Sequence, residues 1–580
     1  MNNAIDRRGF VARAAKLGGA AAVLPLLLSE MAEAKAELTK ANINAAEAIA
    51  GLQFDEKQEE MMLEDLQDQL KSSEQIREMK IPNSVAPALD FNPVLPGMKL
   101  DTEKRTMRMS RATEVKAPAH IEDVAFYSVR DLAELLRRKK VSSVNLTQMY
   151  IARLKKFDPL LHFVVTITEE RALAQAKEAD RDIAAGKYRG PLHGIPWGAK
   201  DLLAVKGYPT TWGAGGFEKQ SFDEDAAVVK RLDAAGAVLI AKTTLGALAM
   251  GDKWFGGKTR NPYNPEDGSS GSSAGSASAT AAGCLGFSIG SETLGSISSP
   301  CTRCGATGLR PTFGRIPRTG AMALSWSMDK LGPICRYVED CALVLNAIYG
   351  PDGEDRTVHD AAFNWDAELD IRKLRIGYLK ADFEHKPDPE EKETPEQTQR
   401  RLLAKKFDDA AVAVLQQKMG VQLIPLELPK LPWGGMRPIL VAEAAAAFDE
   451  LTRSGRDKLL TEQGKDDWPN TFRAARFIPA VDYVNGNRAR MVAMRQVAEV
   501  FSKADVIVAP TFGTQLLVTN LTGHPAVILP SGFRENDGTP VSLTFLGNLF
   551  GEAELLAVAR AWEQATEFHK HHPSLVIPKS

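Results

Sequence analysis

Cysteine is scarce: the chain has five in 580 residues, which excludes a disulfide framework as its source of stability and leaves a packed core to do that work. Cys301 and Cys304 form a single C-x-x-C, but no second pair and no histidine cluster stand near them. Cys284, Cys335 and Cys341 have no metal-ligand spacing either, so the expectation is buried thiols, with no metal and no cofactor. A surplus of positive charge is also missing. Lys and Arg total 72 against 74 Asp and Glu, a formal charge of −2, and a protein that neutralises a phosphate backbone needs more than that. A nucleic-acid partner is therefore not expected. Past the N-terminus no apolar run is long enough to cross a bilayer, and no internal repeat is visible.

What the chain does have begins at its start. Asp6-Arg7-Arg8-Gly9-Phe10-Val11 precedes a weakly apolar run from Leu17 to Leu28, followed by small residues at Ala32, Ala34 and Ala36. Paired arginines, a short apolar stretch and Ala-x-Ala sites in that order predict a twin-arginine signal peptide over residues 1–36. The twin-arginine export machinery is then a partner, and the location is periplasmic or secreted. Residues 37–118 form a second segment. Ala46, Ile49, Leu52, Met61, Met62, Leu66 and Leu70 recur at helical intervals, and the proline-containing stretch 82–96 reads as an extended linker packed along a surface. From residue 119 to 580 a scaffold of alternating elements follows. β-like runs at 237–240, 506–509 and 526–529 alternate with helical patterns at 226–234 and 553–565, and helical periods cover 121–140 and 153–185. The implied fold class is α/β, a large mixed central β-sheet flanked by helices, with an N-terminal helical appendage. Residues 380–401, rich in Glu, Lys and Pro, read as a solvated loop.

The most unusual segment runs from Asp267 through Gly268-Ser269-Ser270-Gly271-Ser272-Ser273-Ala274-Gly275 to Gly283. A flexible linker is one reading, yet the segment runs straight into an Ala-rich helical pattern. A phosphate cradle is a second, but no Gly-Lys-Ser/Thr follows. A third is the G-x-S-x-G elbow centred on Ser273, which requires a strand immediately upstream. Asn261-Pro262-Tyr263-Asn264-Pro265 stands there instead, and two prolines among turn formers do not make a central strand.

Taken with Gly194-Ile195-Pro196-Trp197-Gly198-Ala199-Lys200-Asp201 upstream and Glu292-Thr293-Leu294-Gly295-Ser296-Ile297 downstream, the segment resembles the amidase signature family. Lys242-Thr243-Thr244, Cys304-Gly305-Ala306-Thr307-Gly308-Leu309-Arg310-Pro311-Thr312, Met328-Asp329-Lys330-Leu331-Gly332-Pro333 and Gly523-His524-Pro525-Ala526 extend the likeness over roughly residues 121–575, in family order. The resemblance implies Lys200 as base, Ser272 as a bridging serine held after a cis peptide, and Ser296 as nucleophile, the two serines standing 24 residues apart. It also implies an oxyanion hole from the backbone N–H groups of Thr293, Leu294, Gly295 and Ser296, where a well-aimed donor is worth about 3 kcal/mol. These residue types suit the chemistry. A hydroxyl attacks only after a base removes its proton. A lysine is such a base only when burial lowers its pKa and no carboxylate pairs with it, so Asp201 needs another partner. The appendage is similar to the small C subunit of tRNA-dependent amidotransferases, an unrelated helical appendage being the other reading.

The chain departs from the family pattern at two places: Leu294 replaces a Gly and Ser298 replaces an Arg. Leucine does not readily adopt φ > 0, so either the position never needs it or the loop is reshaped, and loss of the Arg is expected to remove an ion pair. The activity implied is hydrolysis of a small-molecule or peptide amide to a carboxylic acid and ammonia or amine. The alternatives are the glutamine-hydrolysing A subunit of a tRNA-dependent amidotransferase, or a catalytically silent binding protein. A homo-oligomer is compatible with the sequence, and Trp197, Met250 and Trp254 read as core rather than pocket.

Overall fold

The computed structural model describes residues 38–50, 56, 60, 63, 90–111, 116–386, 393–476 and 478–575. The signal peptide expected over 1–36 and most of the helical stretch 42–79 lie outside these residues. The chain divides into two compact units, Met1–Pro82 and Asn83–Ser580. In the first, a helix spans Lys40–Ala50. Among the described residues no helix is long and apolar enough to cross a membrane.

The second unit is built on one mixed sheet of eleven strands. In chain order the strands are β1 (Val164–Ile167), β2 (Pro196–Lys200), β3 (Val238–Thr243), a small hairpin β4 (Lys253–Trp254) and β5 (Gly257–Lys258), β6 (Phe287–Glu292), β7 (Thr307–Arg310), β8 (Lys330–Cys335), β9 (Ile376–Leu379), β10 (Leu423–Leu426), β11 (Val506–Pro510), β12 (Ala526–Phe533) and β13 (Pro540–Gly547). The spatial order of the large sheet is β1-β3-β2-β6-β8-β7-β12-β13-β11-β9-β10. β2 lies parallel to both β3 and β6, whereas β8 runs antiparallel to β6. β2, β3, β8 and β11 are buried along their whole length, which explains why the two of them legible in the sequence, at 237–240 and 506–509, are continuous apolar runs instead of an alternating pattern. Helices Val338–Ile348 and Glu552–Thr566 pack on β7, β8, β12 and β13.

Two stretches differ from the sequence reading. Residues 153–185 are not one helical zone: helices Ser143–Leu161 and Glu169–Ala184 are separated by β1. The first helix stops at His162, which takes a left-handed φ of 49°, and the β-branched run Val164-Val165-Thr166-Ile167 then pairs with β3. Residues 380–401 are not a loop throughout. A short helix spans Lys380–Glu384, and a longer one begins at Pro395, where the Thr394 side chain accepts from Gln397 N and the Gln397 side chain accepts from Thr394 N. That capping box, with proline in the first turn, outweighs the polar composition.

The Gly/Ser segment meets its structural reason here. Helix Ala274–Ala281 is buried at every position. A Cβ on Gly275 would sit 2.3 Å from the Phe163 carbonyl oxygen and 2.5 Å from Thr244 N. Small residues let this helix lie directly against the sheet, so the composition reflects close backbone approach and not flexibility.

Candidate active site

Parallel strands β2, β3 and β6 end side by side, and the end of β6 registers with the start of β8 at Glu292 and Lys330. Their carboxyl ends therefore form one edge, the position where open α/β sheets collect functional groups. Lys200 is the last residue of β2 and is fully buried. Its Nζ stands 2.8 Å from Ser272 Oγ, 3.1 Å from Ser273 Oγ and 2.9 Å from Ser291 Oγ. Its side chain is surrounded by hydroxyls. Burial pulls its pKa down to about 7, against a partial upward pull from the Asp329 and Glu292 carboxylates.

Asp201, next in sequence, is turned to a different partner. Its carboxylate meets Lys242 Nζ at 2.6 Å and accepts from Thr211 N at 2.9 Å, both charged side chains being fully buried. Lys242 belongs to the Lys242-Thr243-Thr244 motif on β3, so one motif supplies the partner that another requires. Lys330 is a third buried lysine at this edge, but its Nζ donates to the Met328 carbonyl and, among the described residues, bonds to no serine.

The peptide before Ser272 is cis. A Cβ on Gly271 would lie 1.8 Å from the Gly251 carbonyl oxygen, so only glycine fits there. Ser273 is fully buried. Its Oγ sits between Lys200 and the Ser291 backbone, donating to Ser291 O at 3.0 Å and accepting from Ser291 N at 3.1 Å. No strand precedes it: residues 261–267 form turns, and only an isolated bridge joins Arg260 to Gly268. The geometry of an elbow is absent from this segment.

Ser296 reaches the cluster through the backbone, where Ser273 N donates to the Ser296 carbonyl at 3.1 Å. Among the described residues no hydrogen bond joins Ser296 Oγ to Ser272. Ser296 is half-buried and opens on a cavity of about 300 Å³ that Thr293, Leu294 and Gly271 also line. The left-handed conformation in this loop falls on Gly295, at φ 92°, and not on Leu294. Leu294 therefore needs no special backbone freedom, and its half-buried side chain adds to the cavity wall. Thr293 is pinned by its hydroxyl, which donates to Asp329 at 2.6 Å; Asp329 also accepts from Leu324 N and Ser325 N.

Ser298 makes hydrogen bonds and, among the described residues, no ion pair, yet the carboxylate beside it is not left without a counter-charge. Glu292 is fully buried and binds Arg310 at 2.8 Å, so the carboxylate keeps a counter-charge from β7. Its other oxygen accepts from Ile297 N, Ser298 N and Ser298 Oγ at 2.8–2.9 Å, and Asn520 Nδ2 donates to the Arg310-bound oxygen. Burial alone pushes this carboxyl up, but Arg310 and these donors hold it at about 2. Arg310 also reaches Thr519 Oγ1 and the His524 carbonyl. His524 itself is buried, and burial lowers its pKa to about 3, so it is a neutral packing residue against Phe501.

Trp197 and Trp254 are buried, Trp197 stacked on Phe287, as expected of core. Met250 instead lines the cavity. Sequence reading missed the rest of that wall: Leu440, Val441, Trp468, Leu517 and Leu521, with Arg437 and Asp466 as charged members. They come mainly from helices Pro438–Ala447, Trp468–Ala475 and Thr514–Thr522, none of which carries a motif. A larger cavity of about 530 Å³, lined by Arg303, Arg534 and Phe407 among others, contains none of Lys200, Ser272 and Ser296. Cys301 and Cys304 are buried free thiols whose pKa burial raises.

Comparison with known proteins agrees with this architecture. The family model described as Amidase matches residues 145–517. The A subunit of the glutamyl-tRNA(Gln) amidotransferase of Thermosynechococcus vestitus is 32% identical over 494 residues, covering 77% of this chain and 99% of that protein. The crystal structure of the peptide amidase from Stenotrophomonas maltophilia is 30% identical with a TM-score of 0.66, covering 77% of this chain and 98% of its own. A bacterial aryl acylamidase, 20% identical with a TM-score of 0.65 over 77% of this chain and 98% of its own, shares the fold. The class is thus a hydrolase acting on amide C–N bonds. Within that class, the chain belongs to the amidase signature family.

The Glu292–Arg310 pair is open to a direct stability test. Arg310→Met leaves a buried carboxylate without its counter-charge, and urea unfolding should show a loss of about 3–5 kcal/mol. Adding Glu292→Gln should restore part of it; equal losses in the single and double variants would mean that the charge is not what Arg310 supplies.

Proposed function

We propose that the protein hydrolyses a carboxamide to a carboxylic acid and ammonia or an amine through an acyl-enzyme on Ser296. The observation that carries this reading is a fully buried lysine, Lys200, 2.8 Å from the Ser272 hydroxyl and without a carboxylate of its own. Neutral Lys200 takes the proton of Ser272 as Ser272 takes that of Ser296, and Ser296 Oγ attacks the amide carbonyl. The backbone N–H groups of Thr293, Leu294, Gly295 and Ser296 receive the developing oxyanion. The same relay then protonates the departing nitrogen, and water reverses the steps to release the acid. The amide enters the cavity in front of Ser296, whose walls are largely apolar.

A second reading is the glutamine-hydrolysing component of a tRNA-dependent amidotransferase, which releases ammonia for use on a tRNA. It is favoured by the name of the curated relatives at 32–33% identity. Assaying the isolated chain for ammonia release on glutamine and on a panel of primary amides and anilides separates the two. Turnover of the panel with glutamine inert supports the amidase; turnover of glutamine alone supports the amidotransferase component.

We also propose that Arg7 and Arg8 direct twin-arginine export. Replacing both by Lys should keep the chain in the cytoplasmic fraction with its specific activity unchanged. Normal export of that variant would remove the periplasmic assignment.

Two measurements test the relay. A fluorophosphonate should label the wild type and not Ser296→Ala, and equal labelling of both would displace Ser296 as nucleophile. Because the base works only when neutral and its pKa is lowered to about 7, kcat/KM should rise about tenfold per pH unit below 7 and level off above it. A profile already flat at pH 5–6 would exclude a titrating lysine as base.

A further inference from the structure

Residues 90–111 stand ahead of the part that the family model matches, yet they belong to the same compact unit as the site. The segment is tied at its far end, where Arg108 pairs with Asp366 and Glu368 at 2.8 Å and Arg105 N donates to Asn364. At its near end Asp90 pairs with Arg356, and Pro93 is buried against Gly523. Between these two contacts Phe91 lies with its ring 3.4 Å from the guanidinium carbon of Arg490 and edge-on to Phe313 at 5.0 Å.

Arg490 is an unusual residue to cover. It sits on helix Ala480–Phe501, is 1% exposed and has no carboxylate within ion-pair distance among the described residues. Its donors go to Ser327 Oγ and Ser327 O at 2.8 Å and to the Leu521 carbonyl at 2.5 Å. Ser327 Oγ in turn donates to Glu443, which also accepts from Ser325 Oγ and Tyr483. This guanidinium therefore fixes both sides of the cavity: Leu521 on one, and on the other the 324–329 loop with Leu324 and Met328. Asp329 at the end of that loop holds Thr293, the first residue of the proposed oxyanion hole. A buried cation without a carboxylate is stabilised by an aromatic face in a way that an aliphatic side chain does not match.

We infer that Phe91 is a positioning residue of the active site: by capping Arg490 it sets the 324–329 loop and, through Asp329, the backbone of Thr293. The upstream segment thereby completes the site instead of merely leading into it. The inference rests on the Ser296 reading for its catalytic consequence, but its structural core stands apart from it.

The test compares Phe91→Leu, Phe91→Tyr and Arg108→Ala in the full chain. Arg108→Ala loosens the same segment without touching Arg490. Hydrogen exchange at the Leu324 and Ser325 amides, both bound by Asp329, should speed up about tenfold in Phe91→Leu and stay at the wild-type rate in Phe91→Tyr and Arg108→Ala. Fluorophosphonate labelling should slow about tenfold in Phe91→Leu alone. Unchanged exchange in Phe91→Leu overturns the inference, as does an equal change in Arg108→Ala, which would make the segment a general tether. If exchange responds as expected while even the wild type resists labelling, the positioning role stands and the Ser296 reading fails.

Discussion

A lysine ammonium and a neighbouring carboxylate attract each other by about 4 kcal/mol at contact near a protein surface, enough to keep the amine protonated through the neutral range. Lys200 and Asp201 are adjacent in the chain, and the site depends on keeping them apart. β2 ends at Lys200, whose side chain goes to the serines, and the chain turns at Asp201, whose carboxylate goes to Lys242 and Thr211. Lys242 thus serves Lys200 without touching it, by occupying the one carboxylate that sequence places beside it. What remains around Lys200 Nζ is a set of hydroxyls from Ser272, Ser273 and Ser291. These oxygens solvate either protonation state without fixing the charge, which is the condition a lysine base needs.

A second constraint organises the opposite side of the cluster. The Ser296 loop turns sharply after β6, and the proposed oxyanion hole requires its backbone N–H groups to stay free. Glu292 makes this compatible with burial by collecting the N–H groups of Ile297 and Ser298 just beyond the loop, while Arg310 offsets its charge. Because Arg310 also grips Thr519 and His524, one guanidinium ties the loop to β7 and to helix Thr514–Thr522. The Gly523-His524-Pro525 motif then has a structural reason. Gly523 takes a left-handed φ of 83° that ends the helix, and the His524 carbonyl receives Arg310.

How far the sequence was readable follows from what each feature depends on. The strands at 238–243, 506–510 and 526–533 could be read because full burial leaves continuous apolar runs. β1 escaped, being four residues long between two helices whose periodicity overlaps it. The Lys200 cluster could be read because its parts sit in short motifs with fixed backbone demands, such as a Gly271 that admits no Cβ. Asp201's partner required pairing across strands, and the cavity wall is drawn from helices around 438–447, 468–475 and 514–522. Those helices contribute side chains of ordinary apolar type, which sequence alone does not separate from core. Phe91 was hidden for the same reason, in a stretch that reads only as an extended linker.

The replacement of glycine by Leu294 shows how a motif tolerates change where its backbone allows it. A loop of this kind needs one residue in the left-handed region, and Gly295 supplies it at φ 92°. A Cβ there would find Leu516 at an ordinary 3.5 Å, so it is conformation and not space that keeps position 295 a glycine. Position 294 carries no such demand, and its side chain is free to vary. Since Leu294 lines the cavity beside Ser296, the variation alters the wall that meets a substrate while leaving the donors of the loop in place. The departure from the family pattern therefore falls on what the site accepts, and the machinery proposed to cleave the amide keeps every one of its parts.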